Sequence, residues 1–369
     1  MTRYDVLVLG GGIIGASVAE ELARRGQRVC LIERGTVGCE SSKAAAGILS
    51  AQMDLDQPGP FFELCQRARA LYPRWVAHLE RQSGLDVGYR QRGILYLVRT
   101  NADGRRMVRQ ALWQRRLGLR AERWSSAMLK RQELYVCPTF REAWYFPMEA
   151  EVDNVTLMEA LAAACRKAKV ALCDHTEVRR LLIQRRRVVG VETARGHSKA
   201  DVVVNCIGSW ASQLAPTRLR LPVAPARGQM LEFDAPKNLL RRPIMSEIGY
   251  GIQRRDGRLI VGSTVEQVGF DRRVTLAGMQ TILSGFARLV DPAALRQCRF
   301  RSAWAGLRPR SQDGLPILGS TAIEGLYVAT GHFRHGILLA PVTAHLLTEL
   351  ILTGRCRLDL EPFSPTRFS

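Results

Sequence analysis

The 369-residue chain is poor in lysine, in acidic side chains and in long apolar runs. Its 54 basic residues outnumber 34 acidic ones for a net charge of +20, yet only six are Lys, which leaves 48 Arg. Such an excess draws anionic partners through its long-range field. The arginines are dispersed, however, and runs such as Arg185-Arg186-Arg187 and Arg254-Arg255 fall at expected hairpin turns. No basic helix interleaved with aromatics occurs, so the bias reads as codon composition and a solvated surface. A nucleic-acid partner is not expected, although the charge leaves that class open. The nine cysteines (30, 39, 65, 137, 165, 173, 206, 298 and 356) are odd in number and include no C-x-x-C pair. Neither a disulfide framework nor a metal site is expected. No apolar run reaches the about 18 residues that span a bilayer, and a strand begins by residue 4, where a signal peptide would lie. These absences predict a soluble cytoplasmic protein. There are no internal repeats and no low-complexity tract. Hydrophobic residues at 46% and charged residues at 24% are ordinary globular values, and the length suits two domains.

What is present is concentrated first in residues 4–33. Val6-Leu7-Val8-Leu9 is an apolar run suited to a strand buried on both faces. Gly10, Gly12 and Gly15 follow it at G-x-G-x-x-G spacing. They serve a tight turn, close backbone approach to a pyrophosphate, and close packing of helix on strand. The helix beginning near Ile13 and Ile14 points free N–H groups and a positive dipole end at phosphate. Val18, Ala19, Leu22 and Ala23 recur at helical spacing, and Gly26 is placed to end the helix. Glu33 closes the next strand, where a carboxylate accepts from ribose hydroxyls. Arg34 beside it leaves a 2′-phosphate possible, but the acid favours a free ribose. The ordered set points to a dinucleotide, FAD or NAD.

Residues 35–52 are crowded with small side chains, which fits backbone running against a flat ligand as well as it fits a small-residue helix interface. Residues 61–83 read as a helix with Phe62, Leu64, Leu71, Trp75 and Leu79 on its buried side. Residues 93–98 read as a strand, 102–117 as a surface helix and 144–147 as an aromatic strand end. Asp153 or Thr156 can cap the next helix. Residues 170–173, 178–187 and 188–193 are expected to form a three-strand excursion. Residues 201–211 form a second buried strand ending in the Gly208 turn, an element that FAD folds use on the far side of the dinucleotide, and it moves the cofactor towards FAD. Residues 250–254 and 258–262 face each other across Arg255-Asp256-Gly257 as a hairpin. Residues 275–290 are an amphipathic helix. Near the C-terminus a buried strand (326–329) leads through a loop (331–336) into a helix (337–352), again offering bare N–H groups to negative charge.

Three segments carry a resemblance. Gly10 to Gly15 with Ser41-Ser42-Lys43-Ala44-Ala45-Ala46-Gly47, then Ala305-Gly306-Leu307-Arg308-Pro309, then Gly331-His332-Phe333-Arg334-His335-Gly336 resemble the D-amino-acid-oxidase-like flavoproteins, and within them the thiamine-pathway glycine oxidases. The resemblance spans nearly the whole chain. It implies Arg308 as the guanidinium clamp for a substrate carboxylate. It also implies Arg334 as a second arginine at the substrate border whose backbone meets flavin, and Tyr250 as a hydroxyl assisting the carboxylate. Implied cofactor contacts are Gly10, Gly12, Ile13, Ile14, Gly15, Glu33, Arg34, Ser41, Ser42, Ala46, Gly47, Ile48, Val178 (main chain to adenine), Gly208, and the run Gly331, His332, Phe333, Arg334, His335, Gly336, Ile337 and Leu338. Hydride transfer needs no base, so His332 and His335 are not read as catalytic. No Cys lies between Trp304 and Gly336, so the FAD is expected to be dissociable. Two residues before Tyr250, where glycine oxidases can show a histidine, this chain has Ile248, which leaves the amine substrate open.

The fold expected is α/β: a Rossmann-like FAD-binding domain (1–85, 148–220, 298–369) with an inserted mixed or antiparallel-sheet substrate domain (86–147, 221–297). The activity implied is oxidative deamination of glycine and small or D-amino acids, with O2 as electron acceptor and a homo-oligomer as the assembly. Rivals are a D-amino-acid dehydrogenase or sarcosine/N-alkyl-glycine oxidase and, in another class, a tRNA-associated flavoprotein.

Overall fold

A computed structural model describes residues 3–216 and 219–368. The apolar runs at the start of the chain become the centre of a six-stranded sheet in the order Ile317–Ser320, Leu326–Thr330, Val202–Asn205, Val6–Leu9, Val29–Ile32, Ala171–Cys173. All neighbours are parallel except the edge strand Ile317–Ser320. Both faces are covered, which is why the strands carry no polar alternation. Val6 and Val8 face a helical layer of Ile13–Arg24, Pro60–Ser83, Asn154–Lys167 and Gly336–Thr353. Leu7 and Leu9 face a three-stranded antiparallel sheet, Val178–Gln184, Arg187–Thr193 and Gly196–Lys199. That small sheet corrects one expectation. Ala171–Cys173 joins the parallel sheet beside Val29–Ile32, because its apolar residues complete that core, and Gly196–Lys199 supplies the third strand of the excursion instead.

The second sheet has eight strands, in the order Arg299–Ser311, Val223–Asp234, Arg258–Gly262, Gly249–Gln253, Ile244–Ser246, Ile94–Leu97, Glu142–Phe146, Glu122–Ser125. Pairing is antiparallel except between Ile244–Ser246 and Ile94–Leu97. Helix Leu276–Ala287, capped by the Thr275 hydroxyl, packs Ile282 and Phe286 on Leu231, Leu259 and Val261. Arg299–Ser311, grouped by sequence with the cofactor-binding segments, pairs along its length with Val223–Asp234. Its ladder partner is thus in the eight-stranded sheet, and Arg308 is carried on that sheet.

Helix Gly336–Thr353 has 18 residues and a mean hydropathy of 1.6, so one segment does reach membrane-spanning length and composition. It serves here as a core helix, with residues from Ile337 to Thr348 buried in the helical layer.

Candidate cofactor and substrate site

One cavity of about 1400 Å³ runs between the two sheets, from Glu33 and Val178 at one end to Arg308 and Tyr250 at the other. The glycine turn builds the first end. A Cβ on Gly15 would overlap the Gly10 carbonyl oxygen, and one on Gly10 would come 2.7 Å from the Cys206 carbonyl oxygen. Gly15 therefore lets the first helix sit on its strand, and Gly10 lets the turn pass close to the chain that leaves Val202–Asn205. Gly12 differs: a Cβ there meets only the Ser42 hydroxyl at 3.3 Å, so the bare backbone faces the cavity. The Ile13 N–H donates to Ser42 Oγ (2.8 Å), which fixes the helix start. Glu33 is buried and accepts from the N–H groups of Gly11 (2.7 Å) and Gly35 (2.8 Å), one on each oxygen. Each oxygen keeps a free lone pair towards the cavity. Arg34 pairs with Glu40 (2.6 Å) and lies over the Trp210 ring at 3.7 Å, so it forms wall rather than a phosphate clamp.

Segment 41–47 borders the middle of the cavity, and its backbone is held from behind. Asn154 donates to the carbonyls of Ser42 and Lys43 (both 2.9 Å), and the Trp304 indole N–H donates to that of Ala44 (3.1 Å). Arg254, buried, donates to the carbonyls of Ala46 and Val152 (both 2.8 Å). Burial depresses its pKa. Arg254, expected at a solvated hairpin turn, is instead buried because its guanidinium meets these carbonyls, and the sequence alone marks none of Asn154, Trp304 and Trp210 as part of the site. The Asn154 position beside the Asp153 cap was the one available signal.

The loop 331–335 and the start of helix Gly336–Thr353 wall the far side. The Phe333 N–H donates to the Pro309 carbonyl (2.9 Å), tying this loop to the strand of Arg308. His332 is buried, its Nε2 3.2 Å from the Thr343 hydroxyl, and burial pushes its pKa down to about 3. His335 is also shifted down by burial, and its ring meets Phe61 edge-on at 5.2 Å. Both imidazoles are thus weakened as bases, in keeping with a wall.

Arg308 donates from Nη1 to the Thr264 carbonyl (3.0 Å) and from Nη2 to the Ser263 hydroxyl (2.9 Å). Among the described residues no carboxylate pairs with it, and withdrawal from water lowers its pKa. The Tyr250 hydroxyl is 3.1 Å from the Met230 sulfur, and burial raises its pKa, so the phenol stays protonated. Arg334 is exposed, its guanidinium carbon 5.2 Å from the Phe333 ring centre. Ile248 and Gly249 line the same end. Of the residues read from sequence, Gly15, Gly331 and Leu338 stand behind the wall and all the others line the cavity. Cys206 is the one cysteine lining it, and burial pushes its thiol far above the ordinary range, so it behaves as a small hydrophobe. Among the described residues no cluster of side chains could hold a metal ion.

An open backbone at Gly12, uncommitted Glu33 lone pairs and a flat wall of small residues fit a dinucleotide. The unpaired guanidinium at the far end fits an acid next to it. Together they fit a protein that binds a dinucleotide with a small acid beside it. Residues 5–350 match the family of FAD dependent oxidoreductases, and the chain belongs to that family, with FAD as its non-covalent cofactor. The glycine oxidase of Geobacillus kaustophilus is 35% identical over 370 residues, covering 99% of this chain and 97% of that protein. The bifunctional protein ThiO/ThiG of Trichormus variabilis is 36% identical over 373 residues, which are all of this chain and 55% of that one. The crystal structure of the Geobacillus glycine oxidase superposes with a TM-score of 0.96 at 34% identity, covering 100% of this chain and 99% of that one.

Proposed function

We propose that this chain oxidises glycine and other small amino acids, yielding glyoxylate or another 2-oxo acid, ammonia and H2O2. The observation that carries the proposal is Arg308, a half-buried guanidinium on the cavity wall with no acidic partner among the described residues. A cation partly removed from water is stabilised by an anion that arrives to pair with it. Two of its five N–H donors are engaged by Ser263 and Thr264, which leaves three for a substrate carboxylate. The protonated Tyr250 hydroxyl can add a further donor. Bound FAD supplies the two-electron acceptor and hands the electrons on to O2. The chain's own contribution is positioning: holding the carboxylate fixes the α-carbon, and orientation supplies much of the rate. With His332 neutral to about pH 3, no imidazolium competes for the carboxylate.

The cofactor falls to residues 1–85, 148–220 and 298–369 apart from the strand Arg299–Ser311, which joins 86–147 and 221–297 on the substrate side. The likeness to a bifunctional ThiO/ThiG protein supports a role in making the thiazole of thiamine; a cytoplasmic homo-oligomer is the form in which we propose that it acts. A second reading, an N-alkyl-glycine oxidase, is favoured by the apolar Ile248 and Met245 on the cavity wall. Replacing Arg308→Ala should raise KM for glycine about 100-fold, from the loss of about 3 kcal/mol of charge-assisted bonding, and leave the yellow cofactor bound. An unchanged KM removes Arg308 from the substrate site. Comparing glycine with sarcosine in the unaltered protein separates the two readings.

A further inference from the structure

We infer that Gly228 is a positioning residue for the substrate clamp: its missing side chain is the space in which the Arg308 guanidinium lies. This rests on the reading of Arg308 as the carboxylate clamp. In the pairing of Val223–Asp234 with Arg299–Ser311, Ala226 stands opposite Arg308 and Gly228 opposite Gly306. The Arg308 side chain leans along its neighbour towards position 228. A Cβ built on Gly228 would overlap Nη1, Cζ and Nη2 of Arg308, and these are the nearest heavy atoms to it. The glycine is not demanded by the backbone, since Gly228 lies outside the left-handed region. Inside a long strand a glycine weakens the sheet relative to a residue with a side chain. What excludes a side chain here is therefore the guanidinium and not the chain.

The other side of the guanidinium is fixed by two acceptors, Ser263 Oγ and the Thr264 carbonyl. Both follow Gly262, where a Cβ would come 2.7 Å from the Tyr250 hydroxyl and 2.5 Å from the Met230 sulfur. The two groups that meet the carboxylate are thus seated over two glycines on neighbouring strands, Met230 pairing with Gly262 across them. With a methyl at 228, the flexible Arg308 side chain is the part that yields. The sheet stays intact, and the fork turns away from its two acceptors.

The test is Gly228→Ala in the FAD-loaded protein, alone and combined with Arg308→Lys. Steady-state KM for glycine is measured along with the Kd of acetate, a non-reacting carboxylate read from the flavin absorbance. Gly228→Ala should keep FAD, raise KM and the acetate Kd together by 10-fold or more, and change kcat less. In the Arg308→Lys background, which has no fork at that place, the same methyl should change both by less than threefold. Ser263→Ala should raise both by an intermediate factor. An unchanged acetate Kd in Gly228→Ala overturns the inference, and so does an equal penalty in the lysine background, which would mean general distortion of the strand. If the unaltered protein binds no acetate and turns over no glycine, the reading of Arg308 itself falls, and the two failures are told apart by that first measurement.

Discussion

The two ends of the cavity are built by opposite means. At the end proposed for the adenosine the lining is mainly backbone, the open face of Gly12 and the helix start at Ile13, with the Glu33 carboxylate held by two N–H groups. At the end proposed for the substrate it is side chains: the fork of Arg308 and the phenol of Tyr250 on separate strands of the large sheet, and the hydroxyl of Ser263 just past the end of another. A backbone surface is made by residues close in sequence and tolerates no added atom. A side-chain surface is made by residues far apart and tolerates small adjustments. Damage at the first end should be all-or-none in cofactor binding, and damage at the second graded in KM.

The largest effect expected is at Gly12. In Gly12→Val the branched side chain would stand in the cavity and press on Ser42 Oγ, which an added Cβ alone approaches to 3.3 Å. The purified variant should fold, by far-UV circular dichroism, and carry no flavin absorbance. A yellow Gly12→Val protein would mean that the backbone face is not where the pyrophosphate lies.

This contrast also sets what the sequence could reveal. Gly10, Gly12, Gly15 and Glu33 were readable from spacing, because one strand–turn–helix–strand unit fixes all four. Hairpin Gly249–Gln253 with Arg258–Gly262 was readable from its turn residues. Arg308 and Tyr250 were legible through family resemblance alone, since 58 residues separate them and no periodicity links them. The membership of Ala171–Cys173 and Arg299–Ser311 was misread because strand pairing is decided by distant partners. The burial of Arg254, placed by its turn residues at a solvated hairpin, was hidden for the same reason. Its guanidinium reaches from the hairpin of one sheet to the Ala46 carbonyl, behind the segment that borders the cavity.

Arg254 is where the separation of the two ends can be broken. It belongs to the hairpin of the large sheet yet holds the segment 41–47, beside the site proposed for the cofactor. Arg254→Met keeps the stem and leaves the carbonyls of Ala46 and Val152 without these donors. Loss of buried partners of this kind costs about 2–4 kcal/mol. Thermal unfolding should fall by several degrees and FAD affinity should drop at least 10-fold, while KM for glycine in the FAD-saturated variant stays within about threefold, the size of a contact change under 1 kcal/mol. A large change in KM with normal FAD affinity would show that the hairpin serves the substrate end only.

The smallest effect concerns the loop at 51–55, which borders the cavity through Asp54 and belongs to neither end. Glu149 is fully buried beneath it and accepts from the N–H groups of Ala51 (2.8 Å) and Met53 (3.0 Å), while Gln110 donates to the carbonyls of Gln52, Met53 and Leu55. Burial pushes the Glu149 carboxyl up to about 7 from the ordinary 4.5, against the pull of those N–H groups and of Arg69. Between these two values the folded chain keeps a proton that the unfolded chain has released. Stability therefore declines as pH rises from 4.5 to 7 and is level above, by about 3 kcal/mol at 1.36 kcal/mol per unit. Glu149→Gln cannot titrate, and its amide offers only one acceptor atom for two N–H groups, so the variant is the less stable at low pH and position 149 then adds nothing to the pH dependence. The difference in unfolding free energy between the unaltered protein and the variant should shrink as pH rises through that window. Other groups that titrate there, Glu133 among them, are present in both proteins and cancel. A difference that stays constant from pH 4.5 to 7.5 would place the Glu149 carboxyl in its ordinary range and leave the loop held by a charge at every working pH. A shrinking one means that the loop carrying Asp54 is held at neutral pH by a carboxyl that is in part still protonated.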